Sequence, residues 1–233
     1  MQEVRKTHVL CWNQINIVKN VWTFLKINFG HKTSLHCHPK KKTGFIILSG
    51  KALVQIGLYK ENNKCYRPLS RLVFRPGLFH SIKAVSKQGV CALEFETPFK
   101  KNDLVRFKDD YGRSAKLYEG KKFTKTIESN FIKFKKPKLG KKQKYNFNNL
   151  EISLEVRKNL KNLVKKDDMT TSAILDGQIV DNNGQNVISY GEIVKTSTLR
   201  ILSDVYKIKK PLTILRVSKK NVNSTKVRKY KKI

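Results

Sequence analysis

Apolar residues occupy the first hundred positions in short bursts. The segments 21–27, 34–38, 44–48, 52–58, 71–74, 81–85 and 90–96 are rich in β-branched and aromatic side chains, the types that pack well on a pleated surface. Between them stand Gly30, Pro39, Ser49-Gly50, Asn62-Asn63, Pro76-Gly77 and Gly89, residues that supply or tolerate turn geometry. Many short strands punctuated by turn signals predict a sandwich or barrel. Residues 1–19 read as a lead-in to it.

The pattern changes later. Over 149–164, Leu150, Leu154, Leu160 and Leu163 recur near helical spacing, which predicts a helix. Segments 174–180 and 186–189 flank Asn183-Gly184, a strong hairpin signal. Residues 198–206 read as a short helix capped by Thr196 or Ser197, and 211–217 as a last strand. The predicted organisation is therefore a β-barrel with a C-terminal extension over 1–117, a basic linker over 118–144, a small α+β domain over 145–217 and a basic disordered tail over 218–233. The linker rests on 121–144, where ten lysines face one acid. The tail rests on seven basic and no acidic side chains.

Charge sharpens the picture only partly. The 233 residues carry a formal charge of +33, which points to an anionic partner. Yet 40 of the 50 basic residues are lysine, and Asn and Ile are plentiful, as codon bias in an AT-rich genome would produce. Arginine, the better fork for phosphate, is scarce, and no rings interleave regularly with the basic residues, as they do in single-strand binders. A small anionic ligand fits this profile, and nucleic acid is not expected as a specific partner. No run approaches 18 apolar residues, so no membrane span is expected. The first residues hold an early acid and no apolar signal core, which predicts a cytoplasmic protein. Cys11, Cys37, Cys65 and Cys91 are far apart and form no CxxC pair, in keeping with free thiols in a reducing compartment. There is no GxGxxG, Walker loop or GxSxG.

The chemistry concentrates in three histidines. His36 and His38, two apart, point to the same side of a strand. A third, His80, follows Pro76-Gly77 about forty residues on. Three neutral imidazoles suit a divalent metal (Zn, Fe, Mn or Ni) and leave positions open for water or substrate. His8 and His31 read as structural or surface residues. Cys37, on the opposite side of the strand from its neighbours, reads as a packing residue.

The spacing Gly30, His36, His38, Gly50 followed by Pro76, Gly77 and His80 resembles the two motifs of the cupin superfamily, over roughly residues 20–98. The resemblance implies a mainly β fold, the double-stranded β-helix or cupin jelly roll, with a metal held by His36, His38 and His80. Thr43 stands where the family usually places a glutamate ligand. The segment with Glu94, Glu96, Thr97, Pro98, Asp103, Val105, Arg106, Asp109, Tyr111, Gly112 and Arg113 looks like cupins of bacterial surface-polysaccharide clusters, related to the mannose-6-phosphate isomerase type; it can equally serve as a clamp on the barrel through Asp–Arg pairs and a buried tyrosine. The resemblance implies a metal-dependent isomerase or epimerase of a sugar or sugar phosphate in surface-glycan synthesis. Glu94 and Glu96 would share one face, either as proton-transfer base or as fourth ligand, and Arg75 and Lys83 would flank the His80 turn to hold the anionic sugar substrate. A non-catalytic sugar- or ligand-binding cupin is the alternative, with a basic nucleic-acid-associated protein behind it. A homodimer is compatible with each.

Overall fold

The computed structural model describes residues 9–17, 20–98, 100, 102–110, 132, 134–160, 163 and 170–220. Ten strands form the N-terminal part: β1 (Val9–Ile17), β2 (Asn20–Ile27), β3 (Leu35–Cys37), β4 (Lys42–Ser49), β5 (Ala52–Ile56), β6 (Asn63–Tyr66), β7 (Arg71–Phe74), β8 (His80–Ala84), β9 (Val90–Thr97) and β10 (Val105–Lys108). They build two antiparallel five-stranded sheets, β1-β2-β9-β4-β7 and β10-β3-β8-β5-β6. The first will be called the shared sheet and the second the outer sheet. The chain is mainly β, as its apolar bursts predict. The lead-in over 1–19 already contains β1, paired with β2.

Alternation along the strands decides what each face does. Leu25, Ile27, Phe45, Ile47 and Ala92 of the shared sheet meet Ala52, Val54, Ile82 and Ala84 of the outer sheet in one buried cluster. This is the barrel interior. The motif glycine Gly50 closes the β4–β5 turn at φ +80°, and a Cβ there would fall 1.9 Å from the carbonyl oxygen of Gly89.

The remaining strands are β11 (Lys142–Phe147), β12 (Leu150–Arg157), β13 (Thr171–Val180), β14 (Asn186–Ser189), β15 (Ile193–Lys195) and β16 (Lys207–Lys219), with one helix, α1 (Thr196–Val205). They form a third antiparallel sheet, β11-β12-β16-β13-β14, with β15 beside β13. Two expectations change here. The segment predicted as a helix over 149–164 is strand β12 across its first half, in register with β16 for eight residues from Leu150↔Lys219 to Arg157↔Leu212. The expected α+β unit is thus chiefly a sheet carrying a ten-residue helix. That helix is capped by the backbone of Lys195 with no side-chain bond, because the Thr196 hydroxyl is taken by Ser172 at 2.7 Å. The Asn183-Gly184 hairpin forms between β13 and β14, with Asp181 Oδ1 accepting the N–H of Asn183 and of Gln185. Residue 142, inside the expected linker, already begins β11; 118–131 and 221–233 lie outside the described residues, as do His8, Tyr111, Gly112 and Arg113.

The third sheet lies on the back of the shared sheet. Phe24, Ile46, Leu48, Leu93 and Phe95 pack with Leu150, Ile152, Leu154, Leu175, Leu215 and Val217 in a second buried cluster. Ile193 enters over Gly44, where a Cβ would meet its Cδ1 at 2.6 Å. Lys42 and Glu192 form an ion pair at 2.5 Å, and the Thr171 hydroxyl donates to the Leu69 carbonyl. The shared sheet is therefore buried on both faces, and β4 separates the two interiors residue by residue. No helix among the described residues is long and apolar enough to cross a membrane.

Candidate metal centre

The three histidines converge inside the barrel. His36 on β3 is the direct antiparallel partner of His80 on β8, and His38 follows on the same face just past the end of β3. Ring centroids lie 5.0 Å apart for His36–His38, 4.6 Å for His36–His80 and 5.7 Å for His38–His80. One nitrogen from each falls within 4.8 Å of the others. An imidazole–metal bond is about 2.0–2.1 Å, so one ion can be reached by all three with small ring movements. His38 and His80 are buried, and His36 is part-buried.

The backbone fixes which nitrogen faces inward. His36 Nδ1–H donates to the Ser34 carbonyl at 2.7 Å, His38 Nδ1–H to the Asp103 carbonyl at 2.6 Å, and His80 Nδ1–H to the Leu78 carbonyl at 3.0 Å. This leaves the Nε2 lone pairs for the interior. The Nε2 atoms of His38 and His80 are buried and hydrogen-bonded to nothing. Buried polar atoms are normally satisfied, and ligating histidines characteristically donate their other N–H to a carbonyl or carboxylate. The donor set fits a divalent metal.

Electrostatics agree with that fit. Burial pushes His38 down to about 3, helped by the Lys41 ammonium. Burial likewise lowers His80 to about 4. His36 is held well below the ordinary histidine range by burial and then by its two neighbours. All three are neutral ligands at neutral pH. The ring of His80 also stacks on Phe74, 4.0 Å away and 11° from parallel, which holds it against rotation.

Thr43 is fully buried and its Oγ1 makes no hydrogen bond. It pairs with Phe74 on one side and Glu96 on the other, so it shares the inward face of β4 with Phe45. Replacing Thr43 by Glu is expected to tighten Zn or Mn binding in a chelator-competition titration, because a carboxylate would join three neutral ligands. An unchanged affinity would show that this position does not reach the ion.

The other predicted residues divide. Glu94 and Glu96 lie on the inward face of β9, opposite Phe45 and Thr43. Glu96 forms an ion pair with Lys41. Lys83 is exposed on the face of β8 opposite His80, and so does not join the histidines. Arg75 is exposed in the turn before them. Cys37 is buried beside His36 on the other face of β3, and burial raises its thiol. His31 lies at the surface turn, its Nδ1 3.0 Å from the Phe29 carbonyl.

The sequence reading missed Lys41 and underused Asp103. Lys41 is only 3% exposed; its ammonium bonds Glu96 and sits near enough to lower His38 and His80. Nothing in a lysine-rich run marks one lysine as buried, apart from its position three residues after a candidate ligand. Asp103 is buried too. Its carboxylate accepts the Lys40 N–H through both oxygens, at 3.0 and 2.9 Å, which fixes the loop whose carbonyl orients His38. Arg106 pairs with His36 across β10 and β3, adding positive charge beside the site.

No family model matches the chain, and no curated protein matches it significantly. Among solved structures it is similar to a candidate sugar phosphate isomerase from Acidithiobacillus ferrooxidans, with 18% identity over 34% of this chain and 50% of that one, at a TM-score of 0.31. The match thus spans half the length of that protein. It is also similar to a protein with a double-stranded β-helix domain from Klebsiella pneumoniae (14% identity, 42% and 77% covered, TM-score 0.37) and to KdgF from Halomonas sp. (13%, 38% and 79%, 0.33).

Proposed function

We propose that the chain is a metal-binding cupin that acts on a small anionic sugar or sugar phosphate, as an isomerase or epimerase in surface-glycan synthesis. The observation that carries this reading is the set of inward Nε2 lone pairs, each fixed by a backbone carbonyl on the opposite nitrogen. His36, His38 and His80 would hold the ion. A bound divalent ion supplies Lewis acidity toward a sugar carbonyl and its neighbouring hydroxyl.

The protein's own groups account for the rest. Three neutral ligands leave the ion's charge uncompensated, and Lys41 adds a cation next to His38 and His80. Both favour a substrate bearing negative charge. The Lys41–Glu96 pair fixes that ammonium in the barrel. Glu94, on the same inward face and across from Phe45, is assigned as the base that takes a proton α to the carbonyl and returns it. Phe74 and Phe45 wall the site and limit water.

Glu94→Gln is expected to lower solvent-deuterium exchange into a bound sugar phosphate by about 10²–10⁴-fold while leaving metal content unchanged. Exchange that survives would remove the base role from Glu94. No exchange in the unmodified protein with any sugar phosphate would favour the second reading, a non-catalytic sugar-binding cupin. The buried, unbonded hydroxyl of Thr43 at the position of the family's acid supports that second reading.

A further inference from the structure

The third sheet turns its apolar side to the barrel through Leu150, Ile152 and Leu154. Of the alternate residues of β12, which face the other way, Glu151, Glu155 and Arg157 carry charge. At that end of the sheet Leu139 bridges to Val156 and Gly140 donates its N–H to the Val156 carbonyl. This leaves a groove of about 320 Å³ lined by Lys141, Lys142, Glu155, Arg157, Lys158 and Asn159. Its volume is at the lower end of the range for small-molecule pockets, enough for a monosaccharide-sized ligand.

The charge of this groove is not balanced from within. Glu155 is buried at 3% exposure. One of its oxygens accepts from Arg157 Nε at 2.8 Å, and the other lies 3.7 Å from Arg216 Nε. Glu151 serves Lys144 at 2.9 Å and Lys142 at 3.7 Å. Four cations thus gather round two carboxylates, and Lys141 and Lys158 bring two further positive charges to the groove. Partial burial, together with Arg216, lowers the Lys142 ammonium, as expected where cations crowd. The buried Glu155 holds Arg157 in place, so the rim is anchored to the sheet and is more than a set of solvated lysines.

We propose that this groove is a second ligand site, specific for the phosphate group of a small metabolite, on the face of the third sheet turned away from the histidines. Phosphate is favoured over a carboxylate because a dianion gains from several cations at once, and lysine binds it as a point charge. The site needs no metal and does not depend on the barrel's chemistry.

The test uses the full chain stripped of metal by chelation. Inorganic phosphate, glucose 6-phosphate and glucose are titrated by calorimetry into the unmodified protein, into Lys142→Ala/Lys158→Ala, and into Lys60→Ala/Lys64→Ala. The last pair removes the same charge from the β5–β6 edge of the outer sheet, where both lysines are exposed. Saturable binding of the two phosphates but not of glucose is expected. It should weaken roughly tenfold in the groove variant, the loss of one or two charge-assisted contacts, and remain within about twofold in the control. Melting curves check that each variant is folded. Equal losses in both variants would show a general electrostatic effect and overturn the proposal. So would the absence of saturable phosphate binding. Binding of a DNA oligonucleotide that depends on the same lysines, without phosphate binding, would assign the groove to nucleic acid instead and overturn it as well.

Discussion

Acidifying the metal-free protein from pH 6.5 toward 5 is expected to destabilise it steeply. The sign follows from the histidines. Their folded pKa values lie below the ordinary 6.5, at about 3 for His38 and about 4 for His80, with His36 also well below. Above pH 6.5 folded and unfolded chains carry the same protons there, and stability does not depend on these groups. As the pH falls through 6.5 the unfolded chain gains protons that the folded barrel refuses. Each such histidine removes on the order of 1.4 kcal/mol per pH unit. Three acting together approach 4 kcal/mol per unit, against a typical total stability of about 5–15 kcal/mol. Urea midpoints measured at intervals between pH 7 and 5 check this before most carboxylates titrate. A flat profile would show that the rings are not held neutral. Added Zn or Mn should move the whole curve to lower pH, because a bound ion competes with protons for the same nitrogens.

Removing a ligand should be the most severe change at the site itself. His36→Ala, His38→Ala and His80→Ala are each expected to weaken divalent-metal binding by more than about 100-fold, since loss of a mere supporting partner already costs about 10–100-fold. Elemental content after dialysis and a chelator competition read this directly. Cys37→Ser is the control: it sits beside His36 on the other face of β3, and metal affinity should not move. If one histidine variant retains full affinity, the ion, if bound at all, sits elsewhere. Near-UV circular dichroism distinguishes a lost ligand from a lost fold.

Much of the site could be read from spacing. Two histidines two residues apart on a strand must share a face, and the Pro-Gly turn brings the third opposite the first, as the His36↔His80 pairing shows. Long-range partners could not be read in the same way. Lys41 looks like any other lysine of its run, and its burial depends on Glu96, fifty-five residues away. Lys83 is near His80 in sequence, but an odd separation on a strand sends it to the opposite face. The misread helix has a similar cause. Leu150 and Leu154, four apart, fit a helix and a strand equally well, and it is Ile152 between them that marks a period of two. The shared sheet hid its alternation altogether, because β4 is buried on both faces from Thr43 to Leu48, and a strand with two apolar sides reads as a continuous run.

That double burial bears on modularity. A cut near residue 117, where the composition changes, would strip the cover from Phe24, Ile46, Leu48, Leu93 and Phe95 and expose a slab of hydrocarbon of the kind that drives self-association. The barrel would then need a substitute lid: a second copy, a chaperone or a redesigned polar surface. Evolution faces the same constraint as the protein engineer. Odd positions of β4 answer to the barrel interior, while even positions answer to a neighbouring sheet on its back.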